Sequence, residues 1–182
     1  MTVGAARDII DLLAERRSAL LQLARDHGAG SVAVFGFGSA LGAGSASHGA
    51  LRFFSGWDGH ESLSLMLVTQ QGAHLLVGSP FMLPLARELQ PDLAVEHVPP
   101  LDWGKALVAL ANGTCVATVG FGELPRELDA ALTADGFVAG PSLDDAAARL
   151  RLVKDAAALG RHRDAAALCD LLFGRLGAGL AR

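Results

Sequence analysis

Residues 62–77, which read SLSLMLVTQQGAHLLV, decide the fold. Leu63, Leu65 and Leu67 recur at every second position, which is the spacing of side chains on one face of a β-strand. Gln-Gln-Gly at 70–72 is typical of a turn, and a second apolar run follows it at once. The stretch therefore predicts a β-hairpin, and with it an antiparallel part of a sheet.

Upstream of the hairpin, apolar spacing indicates a helix and then a buried strand. Apolar residues recur at helical spacing across about residues 4–27, so an amphipathic helix is expected there. The β-branched and aromatic run 31–35 is typical of a buried strand. A Gly- and Ser-rich stretch through Gly49 predicts a loop, and the apolar residues Leu51–Phe54 predict a second short strand.

Downstream of the hairpin, helical and extended patterns alternate. We expect helices near 81–89, near 102–111 and after Pro125, and strands at 93–98, 115–119 and 137–139. A final helical region starts with Ser142 as its N-cap and with Asp144 and Asp145 in its first turn, and Gly160 is expected to break it. The sequence thus predicts an α/β fold: a mixed β-sheet flanked by helices, with a long C-terminal helical linker.

Composition narrows the class of protein. The chain has 182 residues, 51% of them apolar, which is enough for the core of one domain with a helical extension. Its formal charge of −4 argues against a nucleic-acid partner. We see no signal peptide and no apolar run long enough for a membrane span. Cys115 and Cys169 lack the spacing of a disulfide framework or metal site, which favours a cytoplasmic location.

Four segments resemble, in order, the signatures of one protein family. Residues 50–57, ALRFFSGW, are similar to the strand-and-turn signature of amino-terminal domains of the creatinase and Xaa-Pro peptidase family, which includes prolidase and aminopeptidase P. The hairpin at 64–77, the segment VGFGELP at 119–125 and the segment RLRLVKD at 149–155 resemble parts that follow in that family. The resemblance covers nearly the whole chain and implies a ribonuclease H-like architecture.

The same resemblance implies a division of the chain. The amino-terminal α/β domain would occupy residues 1–155, and residues 156–182 would be a helical linker or the start of a missing catalytic domain. The chain departs from the family pattern at Phe53 and Phe54, where Tyr and then Leu or Tyr are usual. The acidic residue that usually follows the linker Lys is replaced within 155–159.

The resemblance also bears on metals. The family's hydrolytic members hold a pair of divalent metals (Mn, Zn or Co) with two Asp, one His and two Glu of a carboxy-terminal pita-bread domain, whereas creatinase-like members work without metal. After Asp155 this chain has the acids Asp164 and Asp170 alone. They are six positions apart on a helix and do not make such a site. We therefore expect no catalytic residue, cofactor or metal site in this chain, and place any metal pair in a missing catalytic domain.

Other chemistries fit the sequence less well. His162 lies between Arg161 and Arg163, but consecutive helical residues point in different directions, so a solvated helix face is the better interpretation. The Gly-rich run 36–44 follows a strand without the GxGxxG or GxxxxGK spacing of a phosphate loop. No Gly-x-Ser-x-Gly elbow supports a nucleophilic serine.

The turn after residue 55 is the candidate site. The resemblance implies that the corresponding loop of creatinase-like proteins reaches the substrate pocket of the neighbouring subunit across a dimer. An exposed Trp gives rigid apolar area, and the polar residues around it can bind a cationic or peptide group. The residues assigned to this substrate contact are Arg52, Phe54, Trp57, Asp58, His60 and Glu61. In the alternative interpretation, Trp57 closes the hydrophobic core and the acids solvate a β-turn.

The sequence and the resemblance leave three possible functions to be tested. The first is an accessory, non-catalytic domain of a metal-dependent C–N hydrolase, which shapes specificity for a small peptide or amide and takes part in a homodimer with the missing catalytic domain. The second is a free-standing binding protein derived from that domain. The third is a complete small enzyme, for which the sequence shows no set of acid, base and nucleophile.

Overall fold

The computed structural model describes residues 3–38, 46–59 and 62–180. Within these ranges the α-helices are α1 (Val3–Asp26), α2 (Ala46–Ser55), α3 (Leu83–Leu89), α4 (Trp103–Ala111), α5 (Arg126–Ala134), α6 (Asp144–Leu152) and α7 (Ala156–Leu180). The strands are β1 (Ser31–Phe37), β2 (Leu63–Val68), β3 (Ala73–Val77), β4 (Ala94–His97), β5 (Val116–Val119) and β6 (Ala139–Ser142). The chain divides into two compact units, the first through Ala148 and the second from Arg149. The domain boundary after residue 155 stays a prediction.

The six strands form one mixed sheet in the order β4-β3-β2-β1-β5-β6. β2 pairs antiparallel with β1 and with β3, and the remaining neighbours pair in parallel. Five strands therefore run in one direction, and β2 opposes them. The predicted hairpin and the predicted mixed α/β fold are both confirmed.

The sheet is buried on both faces near its centre, as the apolar run of β1 predicts. Val32 and Val34 point to one face and Ala33 and Phe35 to the other, and all four are at most 1% exposed. On the face of Phe35, the core includes residues of α4 and α5, with the rings of Phe35 and Trp103 6.4 Å apart. Helices α1 and α2 contact β1. The result is a layered arrangement of helices and sheet.

Residues 51–54 form part of α2, so the strand predicted there is wrong. The buried residues Ser47, Ala50, Leu51 and Phe54 follow the i, i+3, i+4, i+7 spacing of a helix face. Gly49, which suggested a loop, lies inside the helix, where a glycine costs about 1 kcal/mol relative to alanine. Packing against the sheet therefore outweighs local preference. The part of the predicted loop at 39–45 lies outside the described residues.

The sequence predicts helix starts better than helix breaks. α5 begins directly after Pro125, and α6 carries Asp144 and Asp145 in its first turn. Gly160 does not interrupt the last helix, because α7 runs through it. The break lies instead before Asp155, whose Oδ1 accepts the N–H of Ala158 at 2.6 Å and so caps the start of α7.

Strand β6 lies two to three residues further along than the predicted 137–139, since Phe137 turns into the core as a connecting residue. No helix in the described ranges is both long and apolar enough to cross a membrane.

Candidate functional site

The candidate site is the turn at residues 56–59, between α2 and β2. Gly56 ends α2 in the left-handed region, with φ of +76°, and its N–H donates to the carbonyl oxygen of Arg52 at 2.9 Å. Gly59 also has positive φ, +73°, and a Cβ there would lie 3.0 Å from the backbone nitrogen of Gly38. The two glycines thus fold the turn back against the end of β1.

Two arginines of α1 hold the C-terminal end of α2. Arg16 donates from Nη1 to the carbonyl oxygen of Phe53 at 3.1 Å, and its guanidinium lies 4.0 Å from the centre of the Phe53 ring. Arg17 donates from Nη1 to the carbonyl oxygen of Phe54 at 3.4 Å and forms an ion pair with Asp92. Positive charge at the carbonyl end of a helix is favourable. The turn therefore follows a helix end that α1 fixes in place.

Trp57 lies in the core, and the expectation that its ring is exposed is wrong for this chain. The residue is 0% exposed, its Nε1–H donates to Ser64 Oγ at 3.0 Å, and its backbone N–H donates to Ser55 Oγ at 2.9 Å. Phe54 is likewise 0% exposed. Both side chains are part of the core beneath the turn. This agrees with the alternative interpretation, in which Trp57 closes the hydrophobic core.

The polar part of the turn is a cluster of Asp58 with two residues of α2. Oδ1 of Asp58 lies 3.0 Å from Nε2 of His48 and 3.6 Å from Nη1 of Arg52. His48 and Arg52 stand one helical turn apart, so their side chains meet on the same face. His60 and Glu61, the other residues assigned to the site, lie outside the described residues.

Arg52 is the charged group of the cluster that solvent reaches most, although the side chain of Asp58 is also 44% exposed. The Asp58 carboxylate contacts two groups of its own chain, whereas the side chain of Arg52 is 63% exposed. A guanidinium carries five N–H donors in a planar fork that matches a carboxylate. As built, the cluster is suited to hold Arg52 toward an anionic group.

Sequence reasoning missed His48, because the stretch around it was assigned to a loop. The signal becomes visible once residues 46–55 are treated as a helix, since positions 48 and 52 then share a face. Arg16 and Arg17 were seen only as polar positions of α1, and no local pattern shows that they reach the end of another helix.

The described residues do not fit a metal pair. They contain no group of three or more His, Cys, Asp or Glu side chains that could hold a metal ion. At the turn, His48 and Asp58 supply two donor groups, but the third neighbour is the cation Arg52. A dinuclear centre needs bridging carboxylates, and residues 56–59 supply one carboxylate, that of Asp58.

Several solved structures that resemble this chain are Xaa-Pro peptidases. The X-Pro aminopeptidase from Thermotoga maritima matches 76% of this chain with a TM-score of 0.60 and 19% identity. The Xaa-Pro dipeptidase from Bacillus anthracis matches 80% with a TM-score of 0.59 and 11% identity. This chain spans 36% and 37% of the length of those two chains. It therefore corresponds to about a third of each.

A third structure, the aminopeptidase P from Streptococcus thermophilus, matches 79% of this chain and is itself covered to 98%, with a TM-score of 0.57 and 12% identity. No protein-family model matches the sequence, and no curated protein does. At these identities the likeness establishes the fold. The chain has the fold found in Xaa-Pro peptidases, with a coverage that fits their amino-terminal domain, as the sequence resemblance predicted.

Proposed function

We propose that this chain is the non-catalytic amino-terminal domain of an Xaa-Pro peptidase-like, metal-dependent C–N hydrolase. The single observation that carries the proposal is the structural match to two Xaa-Pro peptidase chains, of which this chain spans 36% and 37%. The domain would contribute substrate specificity and dimerisation, and catalysis would reside in the remainder of the protein. A metal pair would belong there as well.

Within this function, Arg52, the α2 residue paired with Asp58 of the turn, would contact the substrate. Its exposed guanidinium would bind the carboxylate of a small peptide or amide in a neighbouring subunit. Asp58 and His48 orient it, and Phe54 and Trp57 support the turn from the core. His60 and Glu61 are kept as proposed contacts on sequence grounds. The free thiols of Cys115 and Cys169 favour a cytoplasmic protein.

The isolated chain should be inactive. We expect no hydrolysis of Xaa-Pro dipeptides or of creatine when the purified chain is supplied with Mn²⁺ or Zn²⁺, because the described residues hold no site for a metal pair. Ninhydrin or mass-spectrometric detection of products is the measurement. Metal-dependent turnover that survives repurification would overturn the proposal.

A free-standing binding protein is the second candidate. The Streptococcus thermophilus chain, of which the matching fold makes up 98%, shows that this fold has been solved as a separate chain, although that chain is named an aminopeptidase P. The two candidates differ in the reading frame after the codon of Arg182. A pita-bread catalytic domain encoded there supports the accessory domain, and a stop codon supports the binding protein.

A further inference from the structure

A pocket lies at the other end of β2 from residues 56–59. The turn between β2 and β3, residues 69–72, faces α1 across a pocket of about 400 Å³. Trp57 is bonded near the start of β2, whereas this pocket lies at the end of β2. Its volume falls within the range of about 300–1,000 Å³ that is typical of small-molecule sites.

One face of α1 forms a wall of this pocket. Ala14, Ser18, Leu21 and Arg25 line it, at the i, i+4, i+7 and i+11 positions that share a helix face. The opposite wall consists of the turn residues with their backbone and amide groups. The turn is itself ordered, since Thr69 Oγ1 donates to the carbonyl oxygen of Gly72 at 3.2 Å and accepts the N–H of Gln71 at 3.1 Å.

The floor of the pocket is a buried ion pair. The side chains of Arg17 and Asp92 are 8% and 17% exposed, and both line the pocket. Two charges held in such a place are costly to desolvate unless they are paired, and here Arg17 pairs with Asp92 and also donates to the carbonyl oxygen of Phe54. The ion pair therefore adds no net charge to the pocket, and its polar atoms provide hydrogen-bonding groups in the lining.

Arg25 gives the pocket its net charge. It lines the pocket, is exposed, and its guanidinium makes no salt bridge or hydrogen bond with any residue in the described ranges. With Arg17 and Asp92 cancelling, the ionisable side chains of the lining sum to one positive charge. The side-chain amides of Gln70 and Gln71 add neutral donors at the mouth.

We propose that this pocket binds a small molecule through an oxyanion, either a carboxylate or a phosphate, with Arg25 as the charged contact. The amides of Gln70 and Gln71 complete the contact. Arg17 belongs to both places, since it lines this pocket and also bonds the carbonyl oxygen of Phe54. The proposed contacts, Arg25 with Gln70 and Gln71, include no residue of 56–59 and do not rest on the proposed accessory role, so either proposal can fail without the other.

Titrations of the full ¹⁵N-labelled chain with sodium phosphate and with sodium acetate test this site. Each titration is run at constant ionic strength, with NaCl alone as the reference. We expect saturable shifts of the backbone amides of residues 70–73 with at least one of the two salts. The salt that binds identifies the group, carboxylate or phosphate.

Two variants test the role of Arg25. Arg25→Gln should weaken binding about tenfold or more, because a charge-assisted hydrogen bond is lost, and Arg25→Lys should retain part of the affinity. Arg126→Gln, an exposed arginine in the first turn of α5, is the matched control and should bind as the original chain does. Shifts that NaCl reproduces, an unchanged affinity in Arg25→Gln, or no shift with either salt would overturn the proposal.

Discussion

At the scale of single residues, Trp57 shows how a residue picked for an exposed contact can serve the core. Its ring is fully buried and its indole N–H finds Ser64, so the polar edge of the ring is satisfied without solvent. An aromatic residue after a Ser-Gly turn carries no pattern in the sequence that tells which way it points. That direction is set by β2, which supplies the hydroxyl partner.

Trp57→Ala should cost about 3–5 kcal/mol in the free energy of unfolding, since it leaves a large cavity and an unpaired Ser64 hydroxyl. Urea denaturation followed by circular dichroism measures the loss. Trp57→Phe is the matched variant and should cost less, because it keeps most of the apolar volume. A Trp57→Ala chain as stable as the original would show that the ring does not support the core.

Arg52→Ala should leave stability within about 0.5 kcal/mol, because the side chain is mostly exposed. Under the proposed function, the same change in the complete protein should raise KM for an Xaa-Pro dipeptide about tenfold or more, as the loss of a charge-assisted contact implies. Steady-state kinetics with Arg126→Ala as the control separates a local contact from a general charge effect. Equal kinetics in all three proteins would count against a substrate contact at this turn.

At the scale of elements, the contact of α2 with β1 depends on Gly36. A Cβ at Gly36 would lie 2.6 Å from Cβ of Leu51, too close for either side to remain in place. Because Gly36 has no side chain, the buried face of α2 can lie directly on β1. Neither sequence periodicity nor composition shows this contact, because it joins residues of two separate elements.

Gly36→Ala should therefore destabilise the chain by about 1–3 kcal/mol, the usual cost of an overpacked core. Gly122→Ala is the matched control, since a Cβ at Gly122 meets no atom within 4 Å. Thermal melts of both variants provide the comparison. If the two variants have the same melting temperature, α2 shifts to accommodate the added methyl group at a lower cost than the distance implies.

The elements differ in how far the sequence determines them. The β2–β3 hairpin was predicted because its leucines alternate at period two and a glycine marks its turn. α2 was not, because Gly49 and the serines before it suggested a loop, although the buried positions already had helical spacing. The pairing of His48 with Asp58 could not be foreseen until α2 itself was known.

At the scale of the whole molecule, the two compact units suggest that the first can fold alone. We expect a chain ending at Asp155 to unfold cooperatively, with a free energy of unfolding within about 0.5 kcal/mol of that of the full chain. Denaturation of the two chains side by side makes the comparison. A shortened chain that fails to fold would place part of the domain's stability after residue 155 and shift the predicted boundary.

The strand order has a consequence for the speed of folding. β1, β2 and β3 lie side by side: the β2–β3 turn spans residues 69–72, and the β1–β2 connection, residues 38–62, contains α2. The partner of β1 on its other side is β5, and Ser31 must find Val116 across most of the domain. Closing that long connection costs more entropy than closing the hairpin, so we expect β1, β2 and β3 to pair early and the docking of β5 to limit the rate. Rate measurements on variants of Val34 and Val119 would reveal this order: folding is slowed where contacts form early, and unfolding is hastened where they form late.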